Sequence, residues 1–173
     1  MHAPDSEAQV LAAGQVLTPV RILAEWTSAA GQLLPGFYTA AFDGAIDDLK
    51  DAIGLNAAWR AQHRRSTVAL EARLRFLGLA WRAEQLLIES RIVDFDAKRL
   101  RIAQSLQRGA EVLATRESLA ISFDLEARRA CAFDTTLARQ IAMVHAAQQR
   151  LAAWPWVGQA YLTVAGVTAP ADP

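Results

Sequence analysis

The stretch from Leu34 to Gly54 constrains the fold more than any other part of the chain. Proline is tolerated in a first helical turn, where its missing N–H would be unpaired anyway. Gly54 stands where a left-handed helix stop is expected. Between these two marks Phe37, Ala41, Ala45, Leu49 and Ala52 or Ile53 recur at spacings of three and four. Phe42 and Ile46 widen the apolar stripe beyond half the circumference. A helix of about 18 residues is about 27 Å long, and strands of about eight residues or more are needed to cover it. The pattern therefore predicts one long helix enclosed by sheet.

The chain can supply that sheet. Its 173 residues are enough for one domain with a sizeable core, and 53% hydrophobic against 21% charged residues excludes disorder for most of its length. Eighteen basic residues balance eighteen acidic ones, so no net field favours nucleic acid or an anionic membrane surface, and neither is expected as a partner. Cys131 is the single cysteine; it has no intrachain disulfide partner, which suits a reducing compartment. The N-terminus lacks a basic segment followed by an apolar one, and no run of 18 apolar residues occurs. A cytoplasmic protein is expected. No His, Cys, Asp and Glu spacing suggests a metal site, and no cofactor is called for.

Taken in order, residues 1–14 read as a tail, 15–161 as one domain and 162–173 as a second tail rich in Thr, Ala, Gly and Pro. A strand is expected from about Val16 to Trp26, where Val20, Ile22, Ala24 and Trp26 alternate with Arg21, Leu23 and Glu25. Thr27 to Leu34 form the loop into the helix. After Gly54 a link through Trp59, Arg60, His63 and Arg64 leads to a strand over Ser66–Leu79. There Val68, Leu70, Ala72, Leu74 and Phe76 share one expected face, with Glu71, Arg73 and Arg75 on the other. Glu84–Val93, Lys98–Gln107 and Glu111–Leu125 follow as three sequential antiparallel strands, joined by turns at Asp94–Ala97 and Arg108–Ala110. Asp134 caps a C-terminal helix of about 18 residues with Leu137, Ile141, Val144 and Leu151 in its stripe, ending before Pro155. Trp154-Pro155-Trp156 either lines a pocket mouth or covers an edge.

This order, together with Ala24-Glu25-Trp26, Gly31, Phe37-Tyr38, Ala41-Phe42-Asp43, Val68-Ala69-Leu70-Glu71-Ala72 and Asp96-Ala97-Lys98-Arg99-Leu100, resembles the hot-dog-fold acyl-CoA thioesterases of the 4-hydroxybenzoyl-CoA thioesterase-like group. The resemblance runs from about Val16 to Leu151. It implies an α+β hot-dog fold: a curved antiparallel sheet of about five strands wrapped around a long central helix, with the C-terminal helix added. It also implies a homodimer or a dimer of dimers, with active sites between subunits. In such proteins an acidic residue in the loop before the helix acts as base or nucleophile, and a backbone N–H at the helix start polarises the thioester carbonyl.

The loop departs from that pattern. Anchored on Glu25-Trp26 and Gly31, the resemblance puts Ser28 where the aspartate stands and Pro35, which has no N–H, where the donor stands; a shift of one residue makes Gly36 the donor. The catalytic candidates are therefore Asp43 on the helix, Ser28, which needs a base such as His63 or His145, and Gln32. Gly36, Phe37 and Leu34 are candidates for holding the acyl group. Arg64, beside His63, and Lys98 with Arg99 are candidates for CoA phosphate. No Asp and His pair matches a hot-dog hydratase. Two readings stand: an acyl-CoA thioesterase-like protein hydrolysing an acyl- or aryl-CoA thioester without the usual loop acid, or a non-catalytic hot-dog module that binds an apolar or acyl ligand or serves as a dimeric partner.

Overall fold

Alternation of apolar and polar residues builds an antiparallel sheet around the expected helix. A computed structural model of the protein describes residues 14–159, and the backbone of residues 9 and 10; the expected tail at 162–173 and most of the one at 1–14 lie outside the described residues. The elements are β1 (Gln9–Val10), β2 (Val16–Arg21), a 3-10 turn (Ala24–Trp26), α1 (Pro35–Ala52), α2 (Ala57–His63), β3 (Arg65–Phe76), β4 (Gln85–Phe95), β5 (Arg99–Arg108), β6 (Glu111–Asp124), β7 (Arg129–Ala130) and α3 (Thr135–Gln148). The sheet runs β1-β2-β4-β5-β6-β3, with β7 also paired to β6. All pairings are antiparallel.

The central helix begins at Pro35 and ends at Ala52, and Gly54 beyond it takes a left-handed φ of 82°. Tyr38, Ala41, Phe42, Ala45 and Leu49 are buried against the sheet. Phe42, Ala41 and Ala45 join Val20, Ile88, Leu106 and Ala114 in one cluster, while Leu49 and Ile53 join Ile92, Leu100, Ile102, Leu137 and Ile141 in a second. Thr18 of β2 donates a hydrogen bond of 2.5 Å to Asp48, fixing the helix to the sheet; burial pushes that carboxyl up, against the Thr18 bond. The expected full enclosure does not occur in the protomer. Gly36, Thr39, Ala40, Asp43, Gly44 and Asp47 form an exposed stripe, because a sheet that curls around one helix covers only the side it faces.

Three further expectations need correction. The strand beginning at Val16 ends at Arg21 and does not reach Trp26. Its partner β4 starts at Gln85, so the chain beyond Ile22 closes on itself, with Trp26 N–H on the Leu23 carbonyl and Thr27 N–H on that of Ala24. In β3 the register against β6 shifts between Ala69 and Glu71. Leu70 is thus the extra residue of a bulge, and Val68 shares the outer face with Glu71, Arg73 and Arg75 instead of joining Leu74 and Phe76. The C-terminal helix stops at Gln148, short of Leu151. The buried residues of α3 are Leu137, Ile141 and Gln148.

Gln148 explains that end. Its side-chain oxygen accepts from Ile92 N–H, and its amide donates to the carbonyls of Ser90 and Gly14. Ile92 lies past Ser90, the last β4 residue paired with β2, so for its N–H this side chain replaces a missing strand partner, while the same amide ties in Gly14 just before β2. The approach is close: a Cβ on Gly14 would lie 2.6 Å from that of Ala147. The link after α1 also has structure of its own, since the Asn56 side chain caps α2 by accepting from Trp59 N–H. After α3, residues 150–159 cross the outer face of the sheet. Arg91 lies 3.9 Å over the Trp154 ring and donates to the Ala152 carbonyl, and Gly158 N–H donates to Glu117. The Trp154-Pro155-Trp156 segment therefore covers a sheet face.

Candidate active site at the start and exposed stripe of the central helix

The loop before α1 is a tight, self-bonded turn. Ser28 N–H donates to the Gln32 carbonyl, and Gln32 N–H donates to Ser28 Oγ at 3.3 Å. Gly31 takes a φ of 88°, which lets its own N–H reach the Ser28 carbonyl while its carbonyl accepts from Arg82 N–H. The Ser28 hydroxyl oxygen accepts within this turn. Both candidate bases for it are engaged elsewhere: His63 stacks on Trp59, and His145 packs edge-on against Phe95 and contacts Gln149.

The turn delivers the chain to a bare helix end. Leu34 stands at the N-cap with no side-chain hydrogen bond, Pro35 has no N–H, and Phe37 N–H returns to the Leu34 carbonyl. The first N–H of α1 without a hydrogen-bond partner among the described residues is that of Gly36, in an exposed position where a Cβ would meet nothing within 4 Å. A free N–H at the positive end of a helix is suited to an oxyanion. Apolar groups surround it. Trp26 stacks on Phe37 at 5.8 Å, and Leu34 and Trp81 are each 40% exposed. Trp81 is held next to the turn by a bridge to Gln32. Tyr38 fixes the neighbouring segment: its hydroxyl accepts from Ala80 N–H and donates to the Gly78 carbonyl, and burial pushes its pKa up.

Asp43 lies seven residues beyond Gly36, close to two full turns, so both occupy one face of α1, about 10 Å apart along the axis. Its side chain is 59% exposed, and Oδ1 sits 2.5 Å from Nη1 of Arg116 on β6, whose side chain is only 6% exposed. Arg116 was not among the candidates drawn from sequence. The signal in the sequence is a cation in period-two step with Ala114, Ser118 and Ala120.

The structure separates the remaining candidates from this end. Arg64 closes α2 with a φ of 52° and lies 3.6 Å from Glu126. Lys98 and Arg99 sit at the β4–β5 hairpin, near the far end of α1. Arg99 is paired with Asp96, whose carboxyl is lowered to about 2 by that guanidinium and by the N–H groups of Lys98 and Arg99. An open hollow of about 720 Å³ nearby is lined by Trp59, His63, Arg65 and Asp134 among others. Another, of about 210 Å³, lies on the outer face between Arg73, Arg101 and Glu117. Neither adjoins Gly36.

A curled antiparallel sheet with a long helix in its hollow, and a bare helix start beside an apolar turn, defines the hot-dog class. The profile of the thioesterase-like superfamily matches residues 22–141, and the chain belongs to that family. Acyl-CoA thioesterases are among its relatives. An L-carnitine dehydrogenase/betainyl-CoA thioesterase from Agrobacterium fabrum is 29% identical over 125 residues, which are 72% of this chain and 26% of that protein. A protein of the same name from Ruegeria pomeroyi is 27% identical over 127 residues. The chain thus spans about a quarter of the length of the curated relatives it matches. Among solved structures, a Staphylococcus aureus hypothetical protein in complex with CoA superposes with a TM-score of 0.79 at 19% identity, covering 85% of this chain and 94% of the other. A Pseudomonas putida KT2440 chain described as a candidate thioesterase gives 0.73 at 28% identity, covering 88% and 95%. No helix among the described residues is long and apolar enough to cross a membrane.

Proposed function

We propose that the protein hydrolyses acyl-CoA thioesters, with Gly36 N–H polarising the carbonyl and Asp43 serving as the general base. The observation that carries this reading is the open N–H of Gly36 on the same exposed face of α1 as the Asp43 carboxylate. Asp43 is assigned to activate water instead of attacking the thioester itself. Ser28 and Gln32 shape the turn; Leu34 and Phe37 line the acyl side. The curated relatives act on a betainyl thioester by name, and the Trp26–Phe37 stack next to Gly36 supplies aromatic surface suited to a quaternary ammonium. Betainyl-CoA is therefore the first substrate to try. The protein is placed in the cytoplasm, where its one thiol stays reduced.

Free-thiol release from a panel of acyl-CoAs tests the reading. Turnover above the buffer rate is expected, without a burst of acyl-enzyme. Binding of an acyl-CoA without turnover across the panel would instead establish a non-catalytic ligand-binding module.

The site is proposed to be completed by a second copy of the chain. β3 is a 12-residue edge strand with Leu70 56% and Phe76 52% exposed, next to the open stripe of α1. A long edge strand with Val68, Leu70 and Phe76 exposed invites pairing. Leu70→Arg is expected to convert a dimer into a monomer in analytical ultracentrifugation and to abolish turnover. An unchanged dimer would place the interface elsewhere.

A further inference from the structure

We infer that Arg116 is a positioning residue for Asp43, a role that rests on the reading of Asp43 as the general base. The guanidinium is buried on the inner face of β6, opposite Gln104 of β5 and Leu74 of β3 in register. Its Nη1 holds Asp43 Oδ1 at 2.5 Å, whereas the Asp43 side chain is largely open. The pair is therefore asymmetric: a cation fixed in the wall of the sheet presents a carboxylate at the surface. A rigid strand supplies the anchor, so one oxygen of Asp43 is tied down while the other remains available to a water on the exposed stripe.

The surroundings reinforce this assignment. Nε of Arg116, Oγ of Ser118 and Oε1 of Gln104 are buried with no hydrogen-bond partner among the described residues. The Gln104 amide is turned the other way, donating to the Phe42 carbonyl and to Ser90 Oγ. Phe42 directly precedes Asp43, so β5 grips the backbone of α1 at the same level at which β6 grips the carboxylate. Two strands thereby set both the axial position of this turn of helix and the direction of the side chain. A buried cation is costly without a counter-charge, and Asp43 supplies one.

The test is a double-mutant cycle with Arg116→Met, Arg116→Lys and Asp43→Asn, read by thiol release with kcat and KM separated. Arg116→Met is expected to lower kcat by up to about 100-fold with little change in KM, and Arg116→Lys to recover part of the loss. In the Asp43→Asn background, Arg116→Met is expected to add less than about twofold, because a residue acting through Asp43 has nothing left to position. Full additivity of the two losses overturns the proposal. The Asp43 side-chain rotamer, measured by NMR couplings in wild type and Arg116→Lys or Arg116→Met, gives an arm independent of activity: a rotamer unchanged by both substitutions also overturns it. Unimpaired turnover in Asp43→Asn alone would remove the general-base reading, leaving the rotamer measurement to decide whether Arg116 positions Asp43.

Discussion

Asp43→Asn is expected to lower kcat for acyl-CoA hydrolysis by about 100-fold or more while the protein remains folded. An amide cannot accept the proton of an attacking water, yet it is nearly isosteric with the carboxylate and keeps an oxygen for Arg116 Nη1. The substitution thus separates chemistry from geometry. It also removes the charge that faces a guanidinium only 6% exposed, so a stability loss of about 1–3 kcal/mol accompanies it. Circular dichroism and a thermal melt on the same sample show whether the fold persists. Full turnover in a folded Asp43→Asn protein would take Asp43 out of the reaction and leave the helix start without a base on its own face.

Phe42→Ala is expected to destabilise the fold by about 3–5 kcal/mol, the range for removing a large aromatic side chain from a core. Phe42 is 0% exposed and sits where α1 meets Val20, Ile88, Leu106 and Ala114. Its carbonyl also accepts the Gln104 amide, so a cavity at this point loosens the turn of helix that carries Asp43. The measurement is urea unfolding, with a lower midpoint and an unchanged slope, since the surface exposed on unfolding stays nearly the same. A shift of less than about 1 kcal/mol would mean that the surrounding side chains collapse into the space, and that the sheet does not hold α1 rigidly at this level.

Much of this architecture is legible in the sequence. The marked ends of α1 and the period-two runs of β4, β5 and β6 follow from backbone sterics and local alternation, which act within a few residues. Boundaries that depend on a partner are less legible. Val16 to Trp26 alternates throughout, yet the strand ends at Arg21 because β4 offers no further ladder. The bulge at Leu70 interrupts an alternation that looks unbroken over Ser66–Leu79, since register is set by β6 and not by β3 itself.

The candidate site divides in the same way. Gly36, Phe37 and Asp43 are marked by their place on one helix, so their relation to each other follows from helical geometry alone. Arg116 is 73 residues from Asp43 in the chain, and Arg64, Lys98 and Arg99 gather near the other end of α1. Local sequence determined the central helix, its bare N-terminus and the stripe that carries Asp43, because those properties repeat every turn. Only the tertiary structure decided which cation faces that carboxylate and which strand is left as an open edge. Each of these depends on the register between strands distant in sequence, and that register is fixed by packing across the whole sheet.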